Sequence, residues 1–123
     1  MRVGVFAMTT RQEKVKELLK VEISDIMLRE MKDPRLGFVT ITDAEVTRDF
    51  RHATVYISVL GEEKERETSL AVLQRAAGYI RGELGRRLHM KVIPEISFKL
   101  DTAVERGTRI FELLQQVKPH DEE

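Results

Sequence analysis

The sequence predicts an α+β sandwich in the order α-β-β-α-kink-α-β-α, a three-stranded sheet with its helices packed on one face. Three observations carry this expectation. Apolar residues recur at helical spacing over two long stretches, 10–32 and 62–89, and over a shorter one, 103–117. β-branched residues gather at 38–42 and alternate through 53–59, and apolar residues alternate with polar ones through 95–100. A chain of 123 residues that is 41% hydrophobic and 34% charged has the length for one domain and one core, and no repeat or low-complexity linker divides it.

In the first stretch Val15, Leu18, Leu19, Ile23, Ile26, Met27 and Met31 form one apolar stripe on a helix over about Thr10–Lys32. Thr10 with Glu13 fits a capping box at its start. Asp33-Pro34 ends it, because proline disfavours the α region for the residue before it. Phe38-Val39-Thr40-Ile41-Thr42 then reads as a strand, as does the alternation of Ala53, Val55, Ile57 and Val59 with Thr54, Tyr56 and Ser58. The short polar stretch Thr47–Arg51 between them suits an antiparallel hairpin.

Gly61 precedes Glu62 and Glu63, acids placed for the positive end of a second helix over about Glu62–His89. Its stripe is Leu70, Leu73, Ala77, Ile80, Leu84 and Leu88. Gly78, Gly82 and Gly85 each cost about 1 kcal/mol against alanine inside a helix, so this stretch is expected to be kinked or broken into a pair. The third strand, Glu95–Leu100, turns Ile96, Phe98 and Leu100 inward and Glu95, Ser97 and Lys99 outward. A final helix over 103–117 carries Val104, Ile110, Phe111, Leu114 and Val117 before Pro119. The second and third strands are far enough apart in sequence for a helical crossover, right-handed if they are parallel.

Lysine plus arginine and aspartate plus glutamate both number 21, so the net charge is zero and a nonspecific nucleic-acid coat is disfavoured. The total hides an asymmetry: between Arg75 and Val92 stand Arg75, Arg81, Arg86, Arg87 and Lys91 against Glu83 alone. Acidic balance lies in Glu62–Glu67 and the tail Asp121-Glu122-Glu123. Such a segment either forms a directional phosphate-binding face or solvates one helix face, and charge alone favours the second. Cysteine is absent, which excludes disulfides and thiolate chemistry and fits a reduced compartment. No apolar run approaches a membrane span, and the apolar part of Met1–Ala7 is too short for a secretory signal, so a soluble cytoplasmic domain is expected.

His52, His89 and His120 are scattered without metal spacing, and no nucleophile elbow, P-loop, dinucleotide fingerprint or apolar-stripe carboxylate appears. No catalytic residue, metal or cofactor is therefore assigned. No strand carries the basic-plus-aromatic signature of an RRM. Gly82-Glu83-Leu84-Gly85 matches the G-x-x-G loop of KH modules literally, but Glu83 would meet phosphate with negative charge and Leu84 belongs to the apolar stripe. We read it as a helix-packing feature. The expected bend falls instead at Ala76-Ala77-Gly78, with Arg75 before it and Arg81, Arg86, Arg87 and Lys91 after it.

Over about Arg11–Glu123 the sequence resembles the ribosome-binding factor A family of bacterial small-subunit assembly factors. The resemblance is densest at Lys32–Gly37, Val55-Tyr56 and Ala76–Arg81 and extends to Ile93-Pro94-Glu95 and Lys118–Glu123, patches that occur in the right order. It implies a single KH-like (type II) domain in which an interrupted helix with an Ala-x-Gly step, here Ala76-Ala77-Gly78, replaces the G-x-x-G loop. It also implies binding to free small subunits, a part in late rRNA maturation including the 5′ end, a role in cold growth, and no catalysis.

On this reading residues 9–118 form the RNA-binding domain, 1–8 a flexible extension with Met8 an alternative start, and 119–123 an acidic tail shorter than in some relatives. The RNA-binding candidates are Arg75, Ala76, Gly78, Arg81, Arg86, Arg87 and Lys91. Arg35, Arg48 and Arg51 either extend the footprint or sit in solvated loops. Five neutralised phosphates would give a log affinity to log salt slope of about −4 or −5. The expected partners are the small subunit and its rRNA, with no membrane and no small-molecule substrate, and the chain is taken as a monomer. A module docking on ribosomal proteins is the alternative, and a processing nuclease a weaker third.

Overall fold

Within residues 9–101, which the computed structural model describes, the chain forms α1 (Thr10–Arg29), β1 (Phe38–Val46), β2 (His52–Leu60), α2 (Glu63–Arg87) and β3 (Glu95–Leu100). The expected extension 1–8, the final helix over 103–117 and the tail 119–123 lie outside the described residues. The sheet order is β1-β2-β3. β1 and β2 are an antiparallel hairpin, Phe38 opposite Leu60 at one end and Val46 opposite Ala53 at the other. β2 and β3 run parallel, from His52 beside Glu95 to Ile57 beside Leu100. The crossover that parallel pairing demands is α2.

β1 runs four residues past the expected end at Thr42, because a register shift between Ile41 and Asp43 restarts the alternation and sends Ala44 and Val46 back into the core. The hairpin turn closes with the Phe50 N–H donating to the Thr47 carbonyl at 2.9 Å and the Thr47 N–H to the His52 carbonyl at 2.9 Å. Phe50 adopts φ 60°, a left-handed value uncommon for a bulky residue. Its partly buried ring packs on the core and receives the Arg11 guanidinium 5.0 Å from its centroid, which holds the turn in that conformation.

The inward residues of β2 and β3, Ala53, Val55, Ile57, Val59, Ile96 and Phe98, pack against Leu19, Ile23, Ile26 and Met27 of α1 and Leu73, Ile80 and Leu84 of α2. Both helices thus cover the same sheet face. Leu18, which the spacing places on the apolar stripe, lies at its margin and is exposed.

Two expected features are displaced. The N-cap of α1 is Thr9, one residue before the expected Thr10: its hydroxyl accepts from the Gln12 N–H at 3.2 Å, and the Gln12 side-chain oxygen accepts from the Thr9 N–H at 3.0 Å. Gln12 decides the register, because its amide nitrogen also donates to the Val46 carbonyl at 2.7 Å in a buried site, a partner 34 residues away. The second departure is α2, one uninterrupted helix of 25 residues with no break at its glycines. Burial of Leu73, Ile80 and Leu84 on its inner face outweighs the propensity cost of glycines on the outer one. Glu62 and Glu65 form the capping box at its start. Among the described residues no helix is long and apolar enough to cross a membrane.

Thr9→Ala is expected to destabilise the protein by about 1 kcal/mol in denaturant unfolding, and Thr10→Ala by a few tenths at most.

Candidate nucleic-acid interface

α2 shows three faces besides its buried one, and each holds part of the basic segment differently. Toward the third strand, Arg81 donates from Nε (3.1 Å) and Nη2 (3.0 Å) to the Ile93 carbonyl in the loop before β3. Toward α1, Arg87 donates from Nη1 to Asp25 (2.8 Å) and Glu22 (3.2 Å) and from Nη2 to Glu30, and the Tyr79 hydroxyl donates to the other Glu30 oxygen at 2.7 Å. Outward stand Arg75, Gly78, Gly82, Gly85, Arg86 and His89, all exposed. Arg86 is paired with Glu83 one turn back, its Nε donating at 2.6 Å, while its side chain remains two-thirds exposed.

The outward face is defined by what it lacks. Among the described residues a β-carbon added at Gly78 would meet nothing within 4 Å, one at Gly82 only the Arg86 guanidinium at 4.0 Å, and one at Gly85 only the Ile93 side chain at 3.9 Å. Among the described residues Gly82 and Gly85 therefore have no helix-packing role, contrary to the sequence expectation. Their spacing from Gly78, four and then three residues, puts all three on one ridge, leaving about two turns of helix bare of side chains. Glycine costs stability at each position, and among the described residues it gains no packing in return. Of the Ala-x-Gly step, Ala76 and Ala77 pack against the core and only Gly78 faces out.

The remaining candidates divide similarly. Lys91 and Arg48 are exposed and make no ion pair or hydrogen bond among the described residues, and neither does Arg75. Arg35 is engaged by Asp33 through two side-chain bonds of 3.0 and 2.7 Å and its own N–H at 2.9 Å. That grip, helped by the nearby charge of Arg75, lowers the Asp33 carboxyl to about 2. The Arg51 N–H donates to Asp49 at 3.1 Å, and its carbonyl accepts from the Glu95 N–H at 2.8 Å, bringing the hairpin turn to the start of β3. The structure thus gathers Arg75, Gly78, Gly82, Gly85 and Arg86 on one face with Lys91 beyond the helix end, and turns Arg87 away. Sequence reasoning missed Gly82 and Gly85 although their spacing was legible, because a helix assumed to break has no continuous face.

The fold defines a class, α+β domains of KH-like architecture, here with three glycines and exposed arginines on the outward face of the crossover helix. The chain belongs to the ribosome-binding factor A family: residues 11–114 match the family model for Ribosome-binding factor A. It is 52% identical over 112 residues to Ribosome-binding factor A of Halothermothrix orenii, covering 91% of this chain and 92% of that one. Among solved structures it is similar to the crystal structure of ribosome-binding factor A from Thermus thermophilus, with TM-score 0.65 and 26% identity over 72% of this chain and 93% of that one. It is also similar to the Thermus thermophilus RbfA coordinates fitted into the cryo-EM map of a 30S–RbfA complex, with TM-score 0.57 and 27% identity over 78% and 97% of the two chains.

Gly78→Ala and Gly82→Ala should each raise stability by about 0.5–1 kcal/mol in denaturant unfolding, since the new methyl enters open space. Acid probes the contact with α1. Hydrogen bonds from Arg87 and then Arg29 hold Asp25 below its ordinary pKa, and bonding led by the Tyr79 hydroxyl does the same for Glu30. A carboxyl with a lowered folded-state pKa stabilises fully above its unfolded value, near pH 4, and loses that contribution as pH falls further. The thermal midpoint of the wild type should exceed that of Arg87→Met at pH 7, and the gap should narrow below about pH 4.

Proposed function

We propose that this chain binds the free small ribosomal subunit through its rRNA and holds an rRNA conformation during late maturation, including that of the 5′ end, without catalysis. The observation that carries the reading is the outward face of α2, where three glycines with no packing partner among the described residues stand between Arg75 and Arg86. A bare ridge lets a sugar-phosphate backbone approach the helix surface, and flanking guanidiniums neutralise its charge. Recognition of this kind reads backbone shape more than base identity, as KH modules do when they clamp backbone. The family's name and the relative's 30S complex support the choice of ribosome as target.

The proposed contacts are Arg75, Gly78, Gly82, Gly85, Arg86 and Lys91, with Arg81 contributing through whatever donor capacity its bond to Ile93 leaves free. Ala76 supports the ridge from beneath. Arg35, Arg48 and Arg51 would extend the footprint at its margins. The protein would act as a cytoplasmic monomer, and loss of the contact would be felt most during growth in the cold, when misfolded rRNA rearranges slowly.

The test is co-sedimentation of the purified protein with isolated small subunits, large subunits and joined ribosomes across a salt series. The expected result is salt-sensitive binding to free small subunits alone, with a log affinity to log salt slope of about −2 to −3 for three outward cations. Arg75→Glu with Arg86→Glu should abolish most of that slope, and Gly82→Leu should weaken binding while the protein stays folded. Salt-insensitive binding, lost on changing exposed apolar residues instead, would replace the RNA reading with docking on ribosomal proteins.

A further inference from the structure

We infer that Arg87 is a positioning residue that sets the pose of the RNA-binding ridge from behind, and not a phosphate contact. The inference rests on the reading of the α2 face given above. Its guanidinium bonds three carboxylates, Glu22 and Asp25 of α1 and Glu30 at the C-cap of that helix, and its side chain is only 24% exposed. The three acids span more than two turns of α1, so one planar fork fixes both the height and the rotation of the last turn of α2. That turn carries Gly85 and Arg86 and leads into the loop holding Lys91. Glu30 also accepts from Tyr79, two turns earlier in α2, so a single carboxylate ties α2 down at two points.

Charge makes the same assignment. Two guanidiniums, Arg87 and the Arg29 that bonds Asp25, stand against three carboxylates and leave a local negative surplus of one, which repels a phosphate approaching from the α1 side. The cluster therefore closes one flank of the ridge to RNA while holding the ridge in place. A residue that linear charge counting ranks among the phosphate ligands becomes part of the frame.

The test compares single variants in binding to isolated small subunits across salt. Arg86→Met, a proposed phosphate contact, should lower the magnitude of the salt slope by about 0.7–0.9. Arg87→Met should lower affinity roughly three- to tenfold with the slope unchanged. Arg87→Lys should recover little affinity, because an ammonium cannot bond three carboxylates as the fork does, whereas at a phosphate contact lysine would keep the charge and with it the salt slope. Glu30→Gln supplies a readout of opposite sign and keeps the test decisive should Arg87→Met fold poorly. Removing a negative charge beside an RNA-binding face strengthens binding if electrostatics alone act, and weakens it if the clasp positions the ridge. A flattened slope or unchanged affinity in Arg87→Met, or tighter binding in Glu30→Gln, overturns the inference. Failure of Arg86→Met to change the slope would instead count against the RNA reading on which it rests.

Discussion

The parallel pairing of β2 with β3 is the constraint on which the rest of the structure depends. Antiparallel neighbours such as β1 and β2 need only the short turn at 47–51. Parallel neighbours require the chain to return along the whole sheet, and α2 is that return. A crossover helix is held at both ends and along one side, here by Leu73, Ile80 and Leu84 against Val55, Ile57 and Phe98. Among the described residues nothing packs on its opposite side at Gly78 and Gly82. Residues that would weaken an isolated helix, three glycines among them, can be carried there because packing and not propensity keeps it helical.

The helix also sorts its charges. Five cations close together in sequence are distributed around its circumference and end, and each direction gives them different work. Arg81 bonds the carbonyl of the loop that enters β3, Arg87 reaches across to α1, and Arg75, Arg86 and Lys91 are left toward solvent. Flanked by an acidic clasp on one side and the β3 loop on the other, the outward face is narrow and directional. That is how a chain of zero net charge can hold a basic face without becoming a general polyanion binder.

Buried polar contacts join elements distant in sequence. Gln12 caps α1 with its oxygen and bonds the end of β1 with its nitrogen. Ser69, fully buried in α2, accepts from the Gly37 N–H at 2.9 Å and so pins the approach to β1 against the crossover helix. Each satisfies groups that burial would otherwise strand, and each fixes a relative position that apolar packing alone would leave loose.

Much of this was legible in the residues themselves. The alternation in 53–59 and 95–100 and the stripe through Leu19, Ile23, Ile26 and Met27 follow from periods of 2 and 3.6, local properties that any reader of the chain can find. Family membership was legible for a similar reason, since ordered patches such as Ala76–Arg81 survive in linear form. Three things were not. The cap moved to Thr9 because Gln12 answers to Val46, a residue no local window includes. The glycine-bearing stretch remained one helix because the energy holding it comes from the sheet beneath. Arg86 and Arg87, neighbours in sequence, parted because about 100° of helical rotation points one outward and the other at Glu22, Asp25 and Glu30. Sequence periodicity determined which face of each element is buried. Only the packing of α2 on the sheet beside α1 decided which charges remained toward solvent, because long-range carboxylates compete for cations on terms that spacing along the chain does not record.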